Sequence, residues 1–162
     1  MANNCEYDLR IKGSKEALEL FENIITYGGD EDKSAEFCKN NKYFYRIFSA
    51  EKYDFSEDGT QMSFAGDCAW SVASSFQLDG EQEFVSPDEN QITLSQFCKE
   101  HQCECEVWSE EPGFCFAEHL HILPDGTKDV DDCLDYQEEY NEETDEYDVT
   151  VKPDNFWEFD YL

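Results

Sequence analysis

Polarity alternates along residues 5–12. Cys5, Tyr7, Leu9 and Ile11 fall on one side, with Glu6, Asp8, Arg10 and Lys12 on the other. That period of two marks a strand with one buried face. Gly13 ends the run, and Ser14 is suited to cap a helix. Over 15–27 the apolar residues Ala17, Leu18, Leu20, Phe21, Ile24 and Ile25 recur at helical spacing, and Gly28-Gly29 is a stop signal. Residues 30–42 are polar, with Phe37 as the main apolar anchor, and fit a short helix or a loop. The aromatic and β-branched content of 43–48 predicts a strand. Asp58-Gly59 predicts a tight turn, and 60–66 and 68–76 read as strand with a break near Gly66. Residues 79–91 hold Gly80, Pro87 and five carboxylates, and read as a loop.

The second half repeats the scheme. Thr93 is placed to cap a helix over about 94–101, with Leu94, Phe97 and Cys98 on its inner face. Cys103, Cys105 and Val107 alternate with Glu104, Glu106 and Trp108, which predicts a strand. Turns are expected at Glu111-Pro112-Gly113 and Pro124-Asp125-Gly126, with a strand over 114–123 between them. Residues 127–136 and 147–152 predict two more strands joined by the acidic run 138–146. The aromatic segment Phe156-Trp157-Glu158-Phe159 is expected to pack back on the body.

The order β-α-β-β-α-β followed by further β points to the α+β class. It matches the split-βαβ, ferredoxin-like plan, an antiparallel sheet with two helices on one face. The expected organisation is a domain over 1–127 and a β-rich acidic C-terminal extension over 128–162, packed on it.

Charge changes the picture most. The 162 residues hold 40 Asp and Glu against 11 Lys and Arg, a net charge of −29. Phosphate contact needs a basic face, so a direct nucleic-acid binder is excluded, as is electrostatic docking on anionic lipid. Aromatics make up 15% of the chain, enough apolar material for a core rather than a disordered polyacid. The N-terminus lacks the basic and apolar regions of a signal peptide, and no apolar run reaches the ~18 residues of a membrane helix, so a cytoplasmic protein is expected. The eight cysteines are then expected to be reduced core residues.

Four stretches resemble the YubB-type ferredoxin-like domain of phage and plasmid proteins. They are Tyr7-Asp8-Leu9-Arg10-Ile11-Lys12-Gly13 with Leu18 and Phe21; Ala65-Gly66-Asp67-Cys68-Ala69-Trp70-Ser71-Val72; Glu106-Val107-Trp108-Ser109-Glu110; and Glu111-Pro112-Gly113-Phe114 with Phe116-Ala117. The resemblance covers about residues 5–127. It implies a mobile-element context and no established enzymatic activity, and no family site is carried onto this chain.

Candidate chemistry is sparse. There is no phosphate-binding Gly-x-x-x-x-Gly-Lys-Ser/Thr, no Gly-x-Ser-x-Gly and no His-Glu-x-x-His, so no enzyme is expected. Cys98, His101, Cys103, Cys105, Cys115, His119 and His121 form the densest ligand set. Zinc needs four convergent donors, and strand alternation explains Cys103 and Cys105 as core residues; a small zinc-binding accessory protein is the alternative, with no cofactor expected. Asp54-x-Ser56-x-Asp58-Gly59 imitates half an EF-hand loop, but the twelfth position is Ala65 where a bidentate Glu is required.

The remaining signal is the carboxylates of the extension: Asp129, Asp131, Asp132, Asp135, Glu138, Glu139, Glu142, Glu143, Asp145, Glu146 and Asp148. A domain of this length has a diameter near 40 Å, and duplex DNA of that length carries about 24 charges, close to the net charge here. Carboxylates two apart on a strand stand about 6.6 Å apart, on the scale of successive phosphates. The expected partner is a basic host protein, a nuclease or a defence effector such as a CRISPR-type effector, whose nucleic-acid groove these residues would occupy. Tyr136 and Tyr140 are expected to be exposed for stacking. An acidic accessory domain without mimicry is the other alternative.

Overall fold

The computed structural model describes residues 3–28, 31–78, 89–151 and 158–162. The chain is α+β. Its main sheet has six strands, all antiparallel, in the order β2-β3-β1-β4-β5-β6. These are β1 (Asn4–Lys12), β2 (Glu51–Phe55), β3 (Gln61–Ala69), β4 (Glu104–Glu111), β5 (Phe116–Ile122) and β6 (Lys128–Asp135). A separate hairpin pairs β7 (Gln137–Asn141) with β8 (Glu146–Val151). The helices are α1 (Lys15–Gly28), α2 (Glu31–Asn40), α3 (Val72–Gln77) and α4 (Leu94–His101).

The strand β1 lies between β3 and β4 because its alternating apolar residues meet apolar residues on both neighbours. Leu9 stands opposite Phe64 and Val107, and Ile11 opposite Met62 and Cys105. These side chains join Leu18, Phe21 and Ile25 of α1 and Leu94, Phe97 and Cys98 of α4 in one core. Phe21 is at its centre, with its ring 5.2–5.7 Å from those of Phe44, Phe64 and Phe97. Each fully buried side chain of this size contributes about 1.5–3 kcal/mol.

Caps set the helix starts. The Ala17 N–H donates to Ser14 Oγ at the start of α1. At α4 the Gln96 N–H donates to Thr93 Oγ1 while the Thr93 N–H donates to Gln96 Oε1, a reciprocal capping box.

Four expectations differ from the structure, the first being the break near Gly66: β3 runs through that residue in unbroken register with β1. Residues 43–48 form no strand: they make only isolated bridges, Tyr43 to Gln91 and Ile47 to Cys68. Phe44 and Ile47 are buried, and Arg46 has φ +49°, which breaks an extended run. The strand expected through residue 76 stops at Ala69. Trp70 turns with φ +61°, and Ser71 caps α3 by accepting from the Ser74 N–H. The acidic run 138–146 is not only a connection, since 137–141 form β7. Of the expected loop 79–91, residues 79–88 lie outside the described residues, as do Phe156 and Trp157. Glu158–Leu162 pack on the sheet face opposite the helices.

Among the described residues no helix is long and apolar enough to cross a membrane.

Candidate functional site

From Asp129 to Val151 the chain carries eleven carboxylates and no Lys or Arg. The structure divides them between β6 and the hairpin. On β6 the register sets Asp132 opposite His119, on the side away from the helices, and Asp131 opposite Leu120, on the helix side. Asp135 follows Asp131 on that second side. Asp131 pairs with Lys128 at 2.9 Å, and Asp129 lies 3.0 Å from His121 Nδ1. These four carboxylates therefore spread over two faces, and two of them already have partners.

The hairpin gathers the other seven. Glu139, Glu142, Glu143, Asp145, Glu146 and Asp148 are exposed, and Glu138 is half-buried. Tyr140 and Tyr147 face each other across the ladder, their rings edge to face at 5.4 Å. The Tyr140 hydroxyl donates to Asp145, and Asn141 Nδ2 donates to Asp148 Oδ2 at 2.9 Å. Tyr140 is exposed as expected, but Tyr136 is not. Tyr136 is 4% exposed: its N–H donates to the Cys115 carbonyl and its hydroxyl to Glu110 Oε1. It anchors the base of the hairpin, and Tyr147 takes its place as the second exposed ring.

A second site lies on the sheet face away from the helices, across β1, β4 and β5. Arg10, Glu106 and His121 stand side by side in register, as do Asp8, Trp108 and His119. Glu106 is fully buried. Its Oε1 accepts the N–H groups of Tyr161 and Leu162, both at 3.0 Å. Its Oε2 accepts the Asp160 N–H at 2.9 Å and lies 2.7 Å from His119 Nε2. An ionised carboxylate only accepts, so that nitrogen carries a proton. Burial pushes the Glu106 pKa up. The hydrogen bonds from His119 and from the N–H groups of Asp160, Leu162 and Tyr161 outweigh it and hold the value at about 2. His119 stacks on Trp108 at 3.7 Å, and His121 on Tyr161 at 3.9 Å. His121 also lies between Glu104 and Asp129. No spacing rule foretells this site, because its members come from three strands and the segment 158–162.

The candidate zinc donors do not converge. Cys98, Cys103 and Cys105 are in the core on the helix side, whereas His119 and His121 point to the other face of the sheet. The group of possible ligands that does converge among the described residues is Glu106, His119 and Asp160. A carboxylate offers about four acceptor sites, and all four of Glu106's are filled by the bonds above. The half EF-hand is a turn: Asp58 accepts from the Thr60 hydroxyl and N–H and from the Ser56 hydroxyl, which holds it at about 2.

Glu118 is buried on the helix side and serves the fold. It accepts the Val72 and Ala73 N–H groups at the start of α3 and the Ser109 hydroxyl. Burial raises its pKa, partly offset by those three donors.

No family model matches the sequence, and neither a curated protein nor a solved structure matches it.

Proposed function

We propose that the chain is a non-catalytic acidic binding protein of a phage or other mobile element, acting in the cytoplasm of a host cell. It mimics nucleic acid and blocks the basic groove of a host nucleic-acid-binding or defence protein. The observation that carries this reading is the hairpin: seven carboxylates over Gln137–Val151, no Lys or Arg among them, and two exposed tyrosines between them. A Lys/Arg groove that releases counterions to phosphates gains from the same exchange with such a hairpin. The tyrosine rings offer flat faces where bases would stack.

The frame of this reading is a ferredoxin-like domain. The strand order β2-β3-β1-β4, with α1 between β1 and β2 and α4 between β3 and β4, supports this frame.

The test is retention and displacement. The immobilised chain should hold a basic host protein at low salt. Duplex DNA or RNA should displace it. Retention should fall steeply with salt, by about 10³-fold or more between ~50 and ~200 mM if six or more contacts are made. Replacing the seven hairpin carboxylates by their amides should abolish retention. Retention that is insensitive to salt, or intact in the amide variant, overturns the proposal.

A further inference from the structure

The segment 158–162 is held on the β1-β4-β5 face in the way a bound peptide is held. Three consecutive main-chain N–H groups, of Asp160, Tyr161 and Leu162, converge on the buried Glu106 carboxylate. Arg10 Nη1 donates to the Leu162 main-chain oxygen at 2.8 Å. Two aromatic side chains complete the contact. The Phe159 ring lies 4.1 Å from the Arg10 guanidinium carbon, and the Tyr161 ring is parallel to His121 within 3° at 3.9 Å.

The division of labour is that of a peptide-recognition site. Main-chain bonds give affinity that any sequence can supply, and side-chain contacts at alternate positions give the selection. Here the selected pattern is aromatic-x-aromatic, one ring on a guanidinium and one on an imidazole. Arg10 is one of two arginines in a chain of net charge −29, and it stands beside Glu106 in register. Its Nε is buried and has no hydrogen-bond partner among the described residues. The resident segment therefore leaves one donor of the site unfilled, and a ligand carrying an acceptor there would fit better.

We propose that this face is a binding site for a peptide of the pattern aromatic-x-aromatic presented by another protein, and that Phe159–Leu162 is its built-in occupant. The resident segment is tethered, so it competes at an effective concentration that a free peptide must overcome. The site does not involve the hairpin, so its test is independent of the proposed mimicry.

The probe is a fluorescent peptide Glu-Phe-Asp-Tyr-Leu with blocked ends, and the receptor is the full chain with Phe159→Ala and Tyr161→Ala. This variant should bind the peptide saturably. The unsubstituted chain should bind it at least about tenfold more weakly, because its own segment occupies the site. Adding Glu106→Gln to the receptor should weaken binding about tenfold or more, as expected for loss of charge-assisted hydrogen bonds. The imidazole proton resonances of His119 and His121 should shift on binding. Dispersed amide resonances establish that each receptor is folded; one that is not is remade with Tyr161→Ala in place of the double substitution, with and without Glu106→Gln. The proposal is overturned if the folded receptor does not bind the peptide, binds a scrambled peptide equally well, or is indifferent to Glu106→Gln.

Discussion

Replacing Glu106 by Gln removes one charge and turns one of two acceptor oxygens into a donor. The carboxylate takes four hydrogen bonds, two on each oxygen. With the amide nitrogen in place of Oε2, His119 can switch tautomer and accept, but the Asp160 N–H faces another donor. With the nitrogen in place of Oε1, the Tyr161 and Leu162 N–H groups both do. The first arrangement is the cheaper. It leaves one main-chain donor unsatisfied and turns the other three charge-assisted bonds into neutral ones. Together these cost about 2–4 kcal/mol at neutral pH. For a domain of this size that lowers Tm by roughly 4–16 °C. Urea unfolding at pH 7 should show a lower midpoint with an unchanged slope.

The pH dependence gives a second handle on the same substitution. The Glu106 pKa is depressed to about 2 from an ordinary value near 4.5. Its contribution is therefore complete above pH ~4.5 and is lost as pH falls towards ~2. The gap between the two proteins should be full at pH 7 and nearly closed at pH ~2, with measurements kept away from the isoelectric point near 4.1. Equal midpoints at pH 7, or a gap that persists at pH ~2, would refute the reasoning.

Salt should stabilise this protein, because self-repulsion at net charge −29 outweighs its few ion pairs. Shortening the screening length from ~30 Å at ~10 mM to ~8 Å at ~150 mM should raise Tm by several degrees, and a fall on thermal denaturation would contradict this. Gly66→Ala should cost about 3 kcal/mol or more in urea unfolding, since the new Cβ would stand 2.0 Å from the Ser49 carbonyl oxygen and 2.9 Å from the Tyr7 hydroxyl. Thr93→Ala removes one half of the α4 capping box and should cost about 1 kcal/mol by the same measurement.

Elements whose signal is local were legible in the sequence. The strand β1 follows from strict alternation, α1 from its apolar stripe and Ser14, and α4 from Thr93 with Gln96 three residues on. Where distant residues decide, the reading failed. Val72–Gln77 looks like continuing strand, yet it is helical because Ser71 caps it and Glu118, 46 residues away from Val72, accepts its first N–H groups. The Glu106 site was invisible for the same reason. Its partners are 13 residues away at His119 and more than 50 away at Asp160–Leu162. The hairpin carboxylates were legible as composition, but their division from those of β6 was not. That division depends on which strand pairs with β5.

The position of β6 at the edge of the main sheet has a consequence for self-association. An edge strand offers unpaired main-chain groups to any other chain that can align with it. Here the edge carries Asp129, Asp131, Asp132 and Asp135 within Lys128–Asp135, with acids directed to both faces. A second copy laid along it would bring like charges together above and below the plane of the sheet. At the opposite edge, β2 has a bulge between Lys52 and Asp54, which interrupts a regular ladder. At neutral pH the acids of β6 act as gatekeepers against edge-to-edge polymerisation. Replacing those four acids by their amides would withdraw that protection, and β6 would become the edge at which aggregation begins.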